Sequence, residues 1–429
     1  MDLTHVAITV LSLALSLHGF FTLYLMLYTW WRPERVRAAA SPENYAEPSL
    51  RFTVLVPARH EQRVIAQTIR SISNARYPKD MVEIVVVCEH GDTETIREVH
   101  REVFDKGHPN VRLCLFSDGP INKPHGLNVA LRQSSYEVVA IVDAEDDIHP
   151  DLFNVVNTIM ERDGASVVQA GVQLMDFSSS WYAVHNVLEY FFWFKSRLHF
   201  HARIGMVPLG GNTVFMERRL VEMAGGWDDK CLTEDADIGI RMSALGKRIA
   251  VTYDAEHVTR EETPPTLASF IRQRTRWNQG FLQVVRKGDW RRFPSRSQRA
   301  VAAYTLMYPF GQAFVGVLWP VSVAMIVAVK MPVFLAMLSF IPLYVLGFQL
   351  LVNLIGLFEF ATVYRMRVRP TDLMALVFGF LPYQLLLSLA AMRAVYREFR
   401  GMTNWEKTAH TGAHRELVHV ATAFGETGK

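Results

Sequence analysis

No Asp, Glu, Lys or Arg occurs between Val6 and Trp31. At about 1.5 Å of rise per residue, such a run gives enough helix to cross a hydrocarbon core of about 30 Å. A cleaved signal peptide is the alternative, but Met1 to His5 carry no Lys or Arg and the apolar run exceeds a normal signal core. Arg32, Arg35 and Arg37 follow directly, with Trp30 and Trp31 at the boundary. That excess of positive charge places the chain beyond this helix in the cytoplasm, with the N-terminus outside. Residues 1–31 therefore read as a transmembrane helix and 32–50 as a cytoplasmic linker.

The same signature returns towards the other end. Val301 to Val329 and Met331 to Phe358 are charge-free blocks separated only by Lys330, the pattern of a tight helical hairpin. A third block, Leu373 to Met392, has Arg365, Arg367 and Arg369 before it and Arg393, Arg397 and Arg400 after it. The charge rule does not orient a block with basic residues on both flanks. Pro382 could make it re-entrant; an ordinary span would leave the tail outside. We read 301–392 as a C-terminal membrane region and 393–429 as a tail. Arg286 to Arg299 hold six basic residues against one acid, Asp289, which suits a cytoplasmic membrane surface. A formal net charge of +3 gives no case for nucleic acid. Cys88, Cys114 and Cys231 lack metal spacing and read as buried free thiols in a reducing compartment.

Between these ends, residues 51–265 change to short β-branched runs alternating with polar, helix-length segments, the pattern of an α/β fold with a largely parallel sheet. Phe52 to Pro57, Val82 to Cys88, Val111 to Phe116 and Glu137 to Asp143 are the clearest strands. Helices are expected from Glu61 to Asn74 and from Lys123 to Gln133. Ligands of open α/β sheets bind beyond the carboxyl ends of the strands. The first strand runs out at Pro57 and Glu61, the second at Glu89 and Asp92, the fourth at Asp143, Glu145, Asp146 and Asp147. Carboxylates gathered at one rim repel each other unless a cation compensates. Mg²⁺ or Mn²⁺ keeps positions open for substrate phosphates, which suits one or two of these carboxylates bridging to a diphosphate. An acidic helix N-terminus ahead of Pro150 is the alternative.

Gly210-Gly211-Asn212 precedes a helix expected near Glu217, and Thr233-Glu234-Asp235 precedes another reaching Leu245. Thr233 as an N-cap with two acids in the first turn explains that spacing by itself. Residues 266–292 form an amphipathic helix with Leu267, Phe270, Ile271, Phe281, Leu282 and Val285 free for an apolar phase. It would lie in the membrane interface or dock on the domain itself. Gln273, Arg276 and Trp277, three and four apart, share one face, where a planar cation beside an indole could hold phosphate and stack a sugar. The aromatic segment Trp181 to His201 would line an acceptor groove or pack against the membrane helices.

The ordered set Glu89, Asp143-Ala-Glu145, Gly210-Gly-Asn212, Thr233-Glu-Asp235 and Gln273-Arg-Thr-Arg-Trp277, with membrane helices on both sides, resembles the processive-type family 2 glycosyltransferases. That group contains the cellulose, hyaluronan and chitin synthases; ceramide glucosyltransferase follows the same broader pattern. The resemblance implies a GT-A catalytic domain with transmembrane helices before and after it, in an integral protein of a bacterial inner (plasma) membrane. It implies a nucleotide-sugar donor, with uridine as the expected base. Glu89 stands where the family has the Asp that contacts base or ribose, and Asp92 is a second candidate. The metal motif appears as Asp143-Ala-Glu145, with Glu145 on the cation and Asp143 on the nucleotide or assisting; Asp146 in place of Glu145 stays open. Pro57, Lys123, Gln273, Arg274 and Arg276 fall at donor positions, and Gly211, Asn212 and Trp277 at acceptor positions. Asp235 matches the general base, with Glu234 beside it. Trp405-Glu-Lys407-Thr408-Ala-His410 resembles a cytoplasmic motif that meets the donor pocket, which places Lys407 on the donor and requires the tail to be cytoplasmic; a solvated tail is the alternative.

These expectations amount to inverting transfer of a sugar onto a glycan acceptor, with a lipid acceptor as the alternative. About four apolar segments are few for a private polymer channel, so a homo-oligomer would form one or the acceptor is lipid-linked or short. A nucleotide-sensing scaffold without turnover is the reading from another class, supported by the glutamates at two expected aspartates.

Overall fold

The computed structural model describes residues 3–328 and 333–406. Lys330, at the expected hairpin turn, and the motif from Lys407 through His410 lie outside the described residues.

The domain is built on a mixed α/β sheet. β1 (Phe52–Pro57) and β3 (Val111–Phe116) have the limits expected from their β-branched runs, while β2 (Val82–Glu89) extends to Glu89. β4 (Val138–Ile141) stops short of Asp143, because the Asp143 amide donates to Asp146 Oδ2 at 2.9 Å and turns the chain out of the sheet. Val54, Leu55 and Val56 are fully buried, as strands covered on both faces must be. The helix expected from Glu61 begins at Ile65, after a turn in which the Val64 amide donates to Glu61 O at 3.0 Å. The helix from Lys123 to Gln133 is found as expected, with Asn122 as its cap.

β5 (Val167–Ala170), β6 (Val172–Leu174), β7 (Val214–Glu217), β8 (Ile249–Thr252) and β9 (Thr259–Glu261) complete the strands. The seven-stranded sheet has the order β3-β2-β1-β4-β7-β5-β8. β7 alone runs antiparallel to its neighbours β4 and β5. Reversal has a consequence for the rim: the amino end of β7, carrying Gly210 to Asn212, meets the carboxyl ends of β1, β2 and β4. β6 and β9 pair in parallel as a small second sheet, and a bridge between Asp147 and Arg260 brings Glu261 to the same edge.

Helix Leu267–Lys287 starts at a Thr266–Ser269 capping box and docks on the protein. Phe270 and Leu282 are buried, with the Phe270 ring 5.4 Å from Tyr182 and 5.6 Å from Tyr383. Helix Pro370–Phe399 is continuous through Pro382. It runs beside Leu267–Lys287 in the same direction: Tyr383 meets Phe270, Thr275 Oγ1 donates to Ala390 O at 3.4 Å, and Arg397 Nε donates to Gln279 Oε1 at 3.0 Å. Its beginning also touches the α/β domain, where His185 Nε2 lies 3.3 Å from Ala375 O. The first helix, Leu3–Met26, packs against Val333–Val363 through Gly19, where an added Cβ would come within 2.5 Å of Val345 Cγ1. Among the described residues three helices are long and apolar enough to cross a membrane, at His5–Met26, Val333–Val363 and Pro370–Phe399.

Helix Glu234–Ala244 is seated by a close backbone approach: a Cβ on Gly239 would lie 2.6 Å from Val207 O and 2.7 Å from Leu209 N. Backbone atoms yield less than side chains, so Gly239→Ala should cost about 1–3 kcal/mol as overpacking. A thermal melt of the purified variant checks this; an unchanged midpoint would show that the two segments are not tightly apposed.

Candidate active site

One cavity of about 640 Å³ runs from the carboxyl rim of the sheet to the bundle of long helices. At the rim, Lys123 enters from its helix and its ammonium donates to Asp143 Oδ1 at 2.5 Å and to Gly211 O at 2.8 Å. Burial opposes its charge, but Asp143, Glu234 and Asp235 together hold the ammonium well above its ordinary pKa. Lys123 therefore ties the fourth strand's end to the Gly210–Asn212 loop as a permanent cation.

Around it stand five carboxyl groups on the cavity wall: Asp143, Glu145, Glu234, Asp235 and Glu261. Asp146, fully buried, lies just behind. Asn212 Nδ2 donates to Asp146 Oδ1 at 3.2 Å and also to Glu261. Burial, then the neighbouring Glu145 and Asp143, push Glu261 up to about 8. Asp146 is raised by burial and by Glu261, Asp143 and Glu145. Such crowding of acids, with the proton retained on some of them near neutral pH, is the chemistry of an oxygen-ligand site for a hard divalent cation.

Opposite lies the first turn of Glu234–Ala244. Thr233 occupies the N-cap position, but its side chain makes no capping bond and its Oγ1 is buried without a partner. The Gly280 face of the arginine helix presses on it, so that a Cβ there would fall 2.3 Å from that oxygen. Burial, then Asp235, raise Glu234 to about 7. Burial also raises Asp235, while the Ala236 amide, Lys123 and Arg276 favour its ionised form. Asp235 Oδ1 accepts the Ala236 amide at 2.8 Å, leaving Oδ2 facing Gly211, where a Cβ would sit 3.0 Å away. A Cβ there would press on the carboxylate, which would have to give way.

The arginine helix completes the wall. Arg276 lies with its guanidinium 4.5 Å from the Trp405 ring centroid, and its Nε is buried without a partner. Arg274 is committed elsewhere: it pairs with Glu189 at 2.5 Å, bonds Asn186 and lies 4.8 Å over the Trp277 ring. Trp277 and Tyr190 line the cavity together, their centroids 6.3 Å apart. The tail returns to this point: Glu406 takes two bonds from Arg393, at 2.8 and 2.6 Å, and Arg397 holds Asn404 O at 3.0 Å.

Of the residues singled out from the sequence, Pro57, Glu89, Lys123, Asp143, Glu145, Gly211, Asn212, Glu234, Asp235, Gln273, Arg274, Arg276 and Trp277 line this cavity. Asp92 does not; it caps helix Thr93–His100, accepting the Thr95 amide at 3.4 Å and the His60 amide at 2.6 Å. Asn212 spends its amide on the carboxyl cluster. Sequence reading missed Glu261 and Glu189, while Tyr190 belongs to the aromatic segment expected to line an acceptor groove. Glu261 sits in Thr259-Arg-Glu-Glu262, which looks like a solvated charged loop until β9 pairs with β6.

The fold and this rim define a GT-A domain. The family model described as "Glycosyltransferase like family 2" matches residues 48–280, more than half of the chain, and the chain belongs to that family. Among curated proteins it is similar to the probable glycosyltransferase YdaM of Bacillus subtilis (strain 168), 28% identical over 61% of this chain and 61% of that protein. It is also similar to beta-monoglucosyldiacylglycerol synthase of Trichormus variabilis, 26% identical over 57% of this chain and 52% of that protein. Poly-beta-1,6-N-acetyl-D-glucosamine synthase of Staphylococcus epidermidis is 22% identical over 60% of each. The chain thus spans between 52% and 61% of the length of these relatives. Among solved structures, the mannosyltransferase PcManGT from Pyrobaculum calidifontis in complex with GDP-Man and Mn²⁺ shares the fold, with a TM-score of 0.53 at 20% identity, over 91% of this chain and 99% of that one.

The raised carboxyls make stability depend on pH. A carboxyl whose folded pKa exceeds its unfolded value holds its proton more tightly when folded, so its contribution is full at low pH and is lost as pH rises through the folded value. With Glu261 at about 8 and Glu234 at about 7, the melting temperature in EDTA should fall between about pH 5 and about pH 8. Glu261→Gln should flatten that decline, as should saturating Mn²⁺. A slope identical in the wild type and Glu261→Gln would mean that Glu261 ionises freely.

Proposed function

We propose that the protein is an inverting membrane glycosyltransferase that moves a sugar from a nucleotide diphosphate donor, a UDP-sugar in our reading, to an acceptor hydroxyl. The observation that carries this reading is the continuity of one cavity from the carboxyl rim to the long helices. Donor and acceptor can then meet at Asp235 from opposite ends.

In this reading the base and ribose lie towards Pro57 and Glu89, and the diphosphate lies between the carboxyl rim and Arg276. Asp143 and Glu145 would hold Mg²⁺ or Mn²⁺, with Asp146 and Glu261 behind them. Bound there, such an ion offsets the negative charge of the donor and of the leaving diphosphate. Lys123 pairs with Asp143 and fixes it in place. Arg276 is aimed at the oxygens that gain charge as the anomeric C–O bond breaks. The acceptor hydroxyl attacks from the opposite face, its proton passing to Asp235 Oδ2. Trp277 and Tyr190 offer faces for the acceptor's ring. Glu234, with its pKa near 7, shares the local charge and takes up a proton when Asp235 is ionised.

For the membrane, we propose a cytoplasmic catalytic domain, with helix Pro370–Phe399 lying along the interface. Both of its ends touch the α/β side, at Ala375 and at Arg397, and the tail arrives beside Arg276. A lipid acceptor is the first to test, because Leu15, Gly19, Val345 and Leu346 wall the inner arm of the cavity.

Asp235→Asn keeps shape and removes the base. Release of UDP from UDP-sugars by the full chain in native-lipid vesicles should slow on the order of 10²–10⁴-fold, while UDP affinity measured by calorimetry changes little. Undiminished turnover by Asp235→Asn would remove it from the base role, and no UDP release by the wild type with any sugar would remove the transferase reading.

A further inference from the structure

At the end of the cavity away from the carboxyl rim stands a second arginine, and nothing in the reaction described above uses it. Arg197 ends the π-helical turn Trp193–Arg197, which joins helices Ala183–Phe192 and Leu198–Ile204. Turns of this kind re-aim side chains within a helix and recur at functional sites. This one is pinned to the ends of two apolar helices: Ser196 Oγ accepts the Thr29 amide at 3.2 Å, and Lys195 pairs with Glu359. Trp30 packs beside it, its ring 5.8 Å from Phe192. A Trp at this level and a charge change at Arg32 mark the depth at which phospholipid phosphates lie.

Arg197 lines the cavity, and its Nε is buried without a hydrogen-bond partner. Among the described residues no carboxylate pairs with it, in contrast to Arg274, which has Glu189. The groups within its electrostatic reach include His18, His201, Tyr304 and Tyr308, all on the cavity wall. His201 is almost fully buried, and its Nδ1 also lacks a partner. Burial and Arg197 lower the His201 pKa to about 3, so this ring is neutral and can offer an N–H. Tyr304 OH is 2.9 Å from His18 Nδ1. A guanidinium walled by imidazole and phenol without a counter-ion is costly, and an arriving anion would relieve that cost. The planar fork of arginine matches the oxygens of a phosphate, and N–H and O–H donors surround it.

We infer that Arg197, His201, Tyr304 and Tyr308 form a subsite for the phosphate of a lipid, so that the acceptor is a phosphate-bearing lipid. This rests on the transferase reading for the word acceptor, but the binding site stands on its own geometry. The cavity then carries two phosphate-binding ends: Arg276 and the carboxyl rim for the donor, Arg197 for the lipid. The lipid's chains would extend past Leu15 and Val345, and its hydroxyl would point towards Asp235.

Calorimetric titration of the full chain in neutral detergent tests this, with dihexanoyl phosphatidic acid as the probe and dihexanoylglycerol and inorganic phosphate as comparison arms. Phosphatidic acid should bind the wild type, and Arg197→Gln should weaken it on the order of tenfold or more, the usual loss for a charge-assisted hydrogen bond. Arg197→Lys should recover part of the affinity, which separates a lost contact from a misfolded protein. Arg101→Gln, a surface residue paired with Glu98, should bind as the wild type does. Equal binding by Arg197→Gln, or dihexanoylglycerol binding as tightly as phosphatidic acid, would overturn the subsite. Inorganic phosphate binding as tightly as the lipid, with the same dependence on Arg197, would overturn the lipid as its source. None of these readings needs turnover, so they stand or fall apart from UDP release.

Discussion

The ion pair between Lys123 and Asp143 is the contact on which the rim depends. Three chain segments with no local reason to meet carry acid groups to one edge: the loop after β4, the first turn of Glu234–Ala244 and the end of β9. Gathering Asp143, Glu145, Asp146, Glu234, Asp235 and Glu261 there would be prohibitive without compensation. Lys123 supplies one fixed charge and, by bonding Gly211 O, also sets the distance between β4 and the loop ahead of β7. What it leaves uncompensated is visible in Glu261, pushed up to about 8, and in Asp146, raised by burial and by its acidic neighbours. A domain balanced in this way suits the divalent cation and diphosphate proposed for it.

The second constraint is the arginine helix. Leu267–Lys287 touches the Glu234–Ala244 helix through Gly280, helix Pro370–Phe399 along one side and the cavity through Gln273, Arg276 and Trp277. Its position therefore couples the sheet domain to the membrane-side helices. Trp405 over Arg276, held by Arg393 and Arg397 through Glu406 and Asn404, adds the tail to the same assembly. The carboxyl rim, the inner arm of the cavity and the tail share one helix, so a small displacement of it would be felt at all three.

Much of this was legible before any coordinates, and the reasons are physical. β1 and β3 are bounded by their own β-branched runs, and helix Lys123–Gln133 by Asn122 and Pro124, so local signals sufficed. Asp143 and Glu145 were legible because acids at strand ends are a local pattern, and Arg276 because of its helical spacing from Gln273; Asp235 was reached only through the resemblance, since its spacing alone reads as a helix cap. β7 was not, since Val214–Glu217 is short and precedes a helix start, and its antiparallel pairing is set by β4 and β5. Glu261 depended on a partner strand far away in sequence. Arg197 depended on a π-helical turn, which no periodicity announces. Pro382 raised the possibility of a re-entrant turn, yet helix Pro370–Phe399 continues, held before Pro382 by His185 at Ala375 and after it by Phe270 at Tyr383 and Thr275 at Ala390.

In the proposed mechanism the carboxyl rim and Arg276 close on a single cation-bridged diphosphate. Pulsed electron paramagnetic resonance of Mn²⁺ bound to the full chain with UDP measures this directly through hyperfine coupling to phosphorus. ³¹P coupling from the bound nucleotide should be present in the wild type, disappear in Glu145→Ala and weaken in Arg276→Gln. Mn²⁺ bound tightly without ³¹P coupling, or coupling unchanged by both substitutions, would contradict it.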